Sequence, residues 1–260
     1  MTATNVVWLG FLASLAAGLA TGIGALGVFF VRTLSEKLED AMLSVAAGIM
    51  LAASFFSLLL PGIEFGEVLF GNRPYAVAIV IGGLLSGAIA LSLIHRYVPH
   101  EHFFTGREGP SVAALRRIWL FVIAIALHNF PEGMAVGVGF AGGDLANGIS
   151  LATGIGIQNI PEGLAVAVSM LAVEYSRKQA FLVAFLTGLV EPVGGLVGSA
   201  AVSLAAPMMP VTLGFAAGAM LFVISDEIIP ETHRRGFQNL ATFALLSGFS
   251  VMMFLDATLG

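Results

Sequence analysis

The chain has 260 residues, with 11 Lys and Arg, 16 Asp and Glu, no Cys and a formal net charge of −5. A water-facing surface takes about a quarter of a chain in charged residues; here the share is 10%, against 58% hydrophobic residues and a mean hydropathy of +0.96. This excludes a solvated globule, a disordered chain, a nucleic-acid partner, a disulfide framework and thiolate chemistry, and it makes the lipid bilayer the solvent of an all-α integral membrane protein.

A helix needs about 20 largely apolar residues to cross the hydrocarbon core. Eight transmembrane helices are predicted in one domain over 1–260, at about 5–31, 41–62, 74–95, 118–141, 146–173, 180–206, 211–230 and 238–258. The first lacks a basic flank ahead of it and reads as a span, not as a signal peptide. The second carries Met50 and Ser57. After the third comes a cytoplasmic loop at about 96–116 with His100, Glu101 and His102. The fourth and fifth contain His-Asn-Phe-Pro-Glu-Gly from His128 and Gln-Asn-Ile-Pro-Glu-Gly from Gln158. The sixth contains Glu191-Pro192, and Pro207 and Pro210 close it, since proline cannot continue a helix. The seventh ends in Asp226-Glu227 and runs into Glu231 and His233. The eighth ends near Asp256.

Basic residues collect on the cytoplasmic side of membrane proteins. Arg32 and Lys37 follow the first span, Arg96, Arg107, Arg116 and Arg117 the third, Arg177 and Lys178 the fifth, Arg234 and Arg235 the seventh. Ten of the eleven thus fall on one side, with Arg73 the exception. Eight spans with both termini periplasmic satisfy this alternation.

Two internal comparisons organise the spans. LHNFPEGMAVGV at 127–138 matches IQNIPEGLAVAV at 157–168 in consecutive, oppositely directed helices. AAGIML at 46–51 matches AAGAML at 216–221, the same shift lays TGIGAL at 21–26 over EPVGGL at 191–196, and LLSG recurs at 84–87 and 245–248. Spans 1–3 and 6–8 therefore read as one three-helix unit used twice, in a 3+2+3 arrangement. An odd number of helices separates each pair, so the second copy is inverted. Inverted repeats are the architecture of secondary transporters, with the site at their interface near the midplane.

Glu132, Glu162 and Glu191 lie inside their spans, where an ionised carboxylate costs about 2.5–3.5 kcal/mol and marks function. No Lys or Arg is available there, so a proton or a cation must balance them. His128 shares a helix face with Glu132, and Gln158 with Glu162. Asn129 and Asn159 place an amide beside each pair, and Pro131 and Pro161 each remove a helix hydrogen bond. Imidazole, carboxylates and amides together suit Zn²⁺ and other first-row divalent ions better than Mg²⁺ or Ca²⁺. Met50 adds a thioether at the edge. Asp226, Glu227, Glu231 and His233 form a candidate exit path; Ser57, Glu64, Asp144 and Asp256 a candidate entrance whose charge draws in cations.

At HNFPEG, QNIPEG, the Glu-Pro of span 6 and ISDEIIPETH in span 7, the chain resembles the bacterial branch of the ZIP (Zrt/Irt-like) metal transporters, over essentially its whole length. The resemblance implies a binuclear site from His128, Asn129, Glu132, Gln158, Asn159, Glu162 and Glu191, with Met50 at its edge and Glu132 and Glu162 bridging the ions. Many members carry His where Gln158 stands and some Asp where Asn159 stands, so one metal position is expected to be weakened. The expected function is uptake of Zn²⁺, with Cd²⁺ as a surrogate and Fe²⁺ or Mn²⁺ as further candidates, across a bacterial inner membrane into the cytoplasm. The three-helix units are expected to move against each other in alternating access. The rival from another class is an intramembrane metal-dependent hydrolase; the chain has no His-Glu-x-x-His and one buried His, a poor match to a catalytic zinc site, so no enzyme is expected. A proton-coupled carrier of another solute is the third reading. Gly82, Gly83, Ser86 and Gly87 permit close helix contact and suggest a homodimer.

Overall fold

Confined charge and long apolar runs leave the backbone no partner but itself, and helices are the result. A computed structural model describes residues 3–31, 33–97, 112–141, 145–171, 173–204 and 206–259, and among these every element is helical. We label them α1 (Ala3–Ala25, tightening into a 3₁₀ turn Leu26–Phe29), α2 (Glu36–Phe70), α3 (Arg73–Tyr97), α4 (Val112–Ala141), α5 (Leu145–Leu171), α6 (Arg177–Gly188, resuming as Glu191–Leu204), α7 (Met209–His233) and α8 (Gln238–Leu259). Six stretches of described residues are long and apolar enough to cross a membrane, lying in α1, α2, α3, α6, α7 and α8. The other two helices, α4 and α5, run for 30 and 27 residues and carry the Pro-Glu-Gly motifs.

Local chemistry sets the ends. Ser35 accepts the Leu38 N–H at 3.3 Å and caps α2, whose first turn carries Glu36 and Glu39 where a helix dipole favours acids. At the other end Gly71, with φ of +64°, adopts the left-handed conformation that stops the helix. Ser176 and Gln179 form a capping box for α6.

Three irregularities lie within the spans. Both α4 and α5 run on through their prolines, Pro131 and Pro161. By contrast α6 breaks at Leu189–Val190, and its second piece starts with Glu191-Pro192, where proline's missing N–H is harmless. α2 and α7 each contain a π-helical stretch, Ala53–Leu59 and Ile224–Ile228, shortly before Pro61 and Pro230. Neither stretch was expected from the sequence, whose apolar run is as compatible with unbroken α-helix.

The helices gather in two groups. α1 packs mainly on α5, on the second piece of α6 and on α4, while α4 packs on that same piece of α6; separately, α3 packs on α7 and α2 on α8. The three-helix units are therefore not compact bodies, because α1 has its main neighbours in the middle of the chain. Backbone contact through glycine ties each group. A Cβ on Gly48 would strike the Leu245 carbonyl and one on Gly248 the Val45 carbonyl; likewise Gly87 lies against the Phe215 carbonyl and Gly218 against that of Leu84. In the first group Gly24 meets the Ile160 carbonyl and Gly163 that of Thr21, while Gly194 meets Phe130 and Gly133 meets Glu191. Small residues substitute for a hydrophobic driving force between helices in lipid. A shared apolar core, with Met50, Met134, Leu151, Leu213, Met220 and Met252 all buried, joins the two groups. Outward faces carry exposed apolar residues such as Trp8, Leu12, Leu85, Ile89, Phe243 and Phe254, as a lipid-facing surface requires.

Candidate metal centre

The two Asn-x-Pro-Glu-Gly motifs meet because α4 and α5 run antiparallel and pack together. Glu132, Asn129, Gln158, Asn159 and Glu191 are fully buried and Glu162 is nearly so. Gln158 Nε2 donates to Glu132 Oε1, joining the motifs directly. Asn159 Nδ2 donates to Glu191 Oε1 at 2.7 Å and to the Ala17 carbonyl at 2.8 Å, which ties α5 to α6 and α1. Glu132 lies within electrostatic reach of both Glu162 and Glu191.

Several atoms in this cluster have no hydrogen-bond partner: both side-chain atoms of Asn129, Gln158 Oε1, Asn159 Oδ1, Glu162 Oε2 and Glu191 Oε2. A buried polar atom left unsatisfied costs about 1–3 kcal/mol. All but the Asn129 amide nitrogen are acceptors, and a cation is the group that satisfies many acceptors at once. Among the described residues no three His, Asp or Glu side chains are gathered tightly enough to hold an ion by themselves. Beside the carboxylates the cluster holds the unpartnered amide oxygens of Asn129, Gln158 and Asn159. The side chain of His128 lies outside the described residues; its backbone is part of α4, one turn before Glu132.

The remaining expected positions divide. Met50 is fully buried in the shared core. Ser57 Oγ donates to Asp256 Oδ1 at 2.7 Å, and Asn147 Nδ2 donates to the Ser57 carbonyl at 3.2 Å, so two of the residues expected at the entrance meet, Ser57 from the π stretch of α2 and Asp256 from α8. Glu64 is exposed on α2. Asp144 and the side chain of Glu227 lie outside the described residues, as does most of the 96–116 loop. Asp226 is exposed within the π stretch of α7.

Glu231 joins an ion cluster. It accepts from Arg234 and, at 2.9 Å, from Arg235, whose other nitrogen reaches Glu39 at 2.8 Å and Asp40 at 3.3 Å. Burial works against the Arg235 charge, but the hydrogen bond and attraction of Glu39, then of Asp40 and Glu231, outweigh it and raise its pKa above the usual arginine value. His233 bonds through Nδ1 to the Ile229 carbonyl on its own helix.

Sequence comparison decides the family. A family model described as ZIP Zinc transporter matches residues 105–256. The chain is 48% identical to the zinc transporter ZIPB of Bordetella bronchiseptica, covering 100% of this chain and 85% of that protein. The chain belongs to the ZIP family. Further ZIP relatives are the zinc transporter GufA of Myxococcus xanthus, 45% identical over 96% of this chain and 99% of that one, and the zinc transporter ZupT of Corynebacterium aurimucosum, 34% identical over 92% of each. As a ZIP protein the chain is a divalent-metal transporter and not an enzyme, which sets the hydrolase reading aside.

Two neighbours of this cluster went unforeseen, the Ala17 carbonyl that accepts from Asn159 and Thr21, whose carbonyl lies against Gly163. The carbonyl of any apolar helix residue carries no sequence signal. Thr21 did carry one, since the 170-residue shift that lays TGIGAL over EPVGGL sets Thr21 over Glu191.

Proposed function

We propose that this chain carries Zn²⁺ into the cytoplasm across a bacterial inner membrane, with Cd²⁺ as a surrogate and Fe²⁺ and Mn²⁺ as further candidate cargo. The observation that carries the reading is the buried cluster of Glu132, Glu162 and Glu191, surrounded by amide oxygens with no partner inside the protein. The relatives named as zinc transporters point to the same ion. Glu132, Glu162, Glu191, His128, Asn129 and Gln158 supply the donors, with Glu132 and Glu162 bridging two ions. The position beside Asn159 is the weaker one, because that amide already donates to Glu191. Met50 borders the site; Ser57, Glu64, Asp144 and Asp256 line the way in, and Asp226, Glu227, Glu231 and His233 the way out.

The chain has eight spans in a 3+2+3 arrangement, with both termini periplasmic. The glycine contacts support the inverted repeat. Gly48 on Leu245 corresponds to Gly218 on Leu84, and Gly248 on Val45 to Gly87 on Phe215, under the shifts read from the sequence. The same shifts map Gly24 on Ile160 to Gly194 on Phe130, and Gly163 on Thr21 to Gly133 on Glu191. Packing favours α1, α4, α5 and α6 as one moving body and α2, α3, α7 and α8 as the other, in place of the three-helix units, and alternating access then follows from sliding or rocking at their seam. Gly83 and Gly87 pack on α7 within the chain, which leaves Gly82 and Ser86 on the outward face of α3 for a second copy.

Zinc uptake into proteoliposomes tests the reading. Alanine at His128, Glu132 and Glu162 together abolishes uptake, and uptake at the wild-type rate from that variant overturns the assignment.

A further inference from the structure

The inverted repeat makes an unequal demand on the site. Its two motif helices agree at Asn129 with Asn159 and at Glu132 with Glu162 and differ at His128 against Gln158, and the helices flanking them differ in charge: where α6 offers Glu191, α1 offers Thr21. Local backbone contacts obey the same correspondence, since Gly133 lies against the Glu191 carbonyl and Gly163 against that of Thr21. Thr21 thus stands beside the residue that follows Glu162, as Glu191 stands beside the residue that follows Glu132. A Cβ on Gly188 would fall 2.8 Å from the Thr21 hydroxyl oxygen, so the absent side chain at Gly188 is what makes room for the threonine.

Hydrogen bonding departs from symmetry at this point. Asn159 gives its amide N–H groups to Glu191 and to the Ala17 carbonyl. Its counterpart Asn129 has neither side-chain atom bonded, and the Thr21 hydroxyl, 1% exposed, has no partner either. The correspondence that pairs Asn159 with Glu191 pairs Asn129 with Thr21, and a buried amide N–H and a buried hydroxyl so paired need a polar group between them. A water molecule meets the requirement, because it donates and accepts and is stabilised by two to four polar partners. Another protein acceptor there would have closed the pair, as Glu191 does for Asn159.

We infer that Thr21 is a positioning residue of the transport site, the neutral counterpart of Glu191, which with the Asn129 amide N–H holds a water that completes the shell of the transported ion. The inference rests on the zinc-site reading above. Its chemistry is a one-sided site: the ion meets carboxylates from α4, α5 and α6, and a held water from the side of α1. A hydroxyl there leaves the ion one negative charge less to escape from than a fourth carboxylate would.

The test compares Thr21→Val, isosteric and without the hydroxyl, with Thr21→Ser, which keeps it, in zinc uptake by proteoliposomes. Thr21→Val raises the KM for zinc by about three- to tenfold, the worth of one hydrogen-bonded contact, at unchanged Vmax and unchanged thermal unfolding of the zinc-free protein. Thr21→Ser restores the wild-type KM within about twofold, less than the weakest such contact. A Thr21→Val variant with wild-type KM overturns the inference, as does a serine variant that behaves like valine. Should Thr21→Val lower the unfolding temperature of the zinc-free protein as well, Thr21→Ala is measured in its place under the same two criteria. Failure here with Glu132→Ala still inactive removes only the role of Thr21, whereas active Glu132→Ala removes the site itself.

Discussion

Replacing Asn159 by Asp changes one atom pair and tests the logic of the whole site. Asn159 Nδ2 now makes two buried hydrogen bonds, 2.7 Å to Glu191 and 2.8 Å to the Ala17 carbonyl. Asp removes both donors, a loss of about 1–3 kcal/mol, and sets a carboxylate oxygen where the donor stood, 2.7 Å from Glu191. Two unit charges at that separation repel by about 6 kcal/mol at an effective dielectric of about 20. The pair then requires a proton or an ion between its members. The zinc-free variant is thus expected to unfold at a lower temperature than wild type in chelator, while added zinc recovers more stability than it does for wild type. Saturation at about 100 times Kd contributes about 2.7 kcal/mol per added ion. Thermal unfolding in detergent with chelator or zinc, beside elemental analysis of zinc per chain, reads both quantities. A variant whose zinc-free stability, zinc shift and zinc content all equal those of wild type would refute the reasoning, because the amide would then not be what weakens the second position.

Three other outcomes are expected. Gly163→Ala forces a methyl into the Thr21 carbonyl, a backbone atom that cannot swing aside, and is expected to cost about 1–3 kcal/mol or more of stability by overpacking, visible as a lowered unfolding temperature. Zinc at the proposed site would require His128 and the carboxylates deprotonated, so acidification from neutral pH is expected to raise the KM for uptake steadily and alkalinisation to lower it; a pH-independent KM contradicts this. Arg235→Gln leaves Asp40, whose side chain has no exposure, without the cation 3.3 Å away; the loss of a buried pair's partner is expected to destabilise the protein by about 3–5 kcal/mol, and double substitution with Asp40→Asn is expected to recover part of it in the same unfolding assay.

Much of the architecture was legible because charge is rationed in a membrane chain. Arg177, Arg234 and their like mark helix ends, and Glu132, Glu162 and Glu191 stand out against apolar neighbours. α2 runs from Glu36 to Phe70 instead of 41–62, because Ser35 and Gly71 cap it beyond the apolar run and acidic residues fill its first turn, where hydropathy sees only polar residues. The grouping of helices was not legible. In lipid a helix has no wet face, so apolar residues carry no period that says which side meets a neighbour, and the partnership of α1 with α4, α5 and α6 rests on scattered glycines such as Gly24 and Gly163. The π stretches escaped for a related reason: the one-residue misfit between ASFFSLLLP and VISDEIIP is visible only once both are known to be helical and irregular. At the site, the three membrane-embedded glutamates were readable because their charge stands out, whereas the hydrogen bonds among their neighbours, such as Asn159 to Glu191, leave no mark in the sequence.

The glycine ties hold helices within each group, backbone against backbone, whereas the surface between the groups is of another kind. There Gly154 of α5 faces the Met252 sulfur of α8, and Met50, Met134 and Met220 lie buried in the same core. Thioether chains have several rotamers of similar energy and adapt to changing neighbours. Under the proposed alternating access, a displacement of one group against the other would thus be taken up in side-chain torsions at this seam and spare the backbone ties within each group.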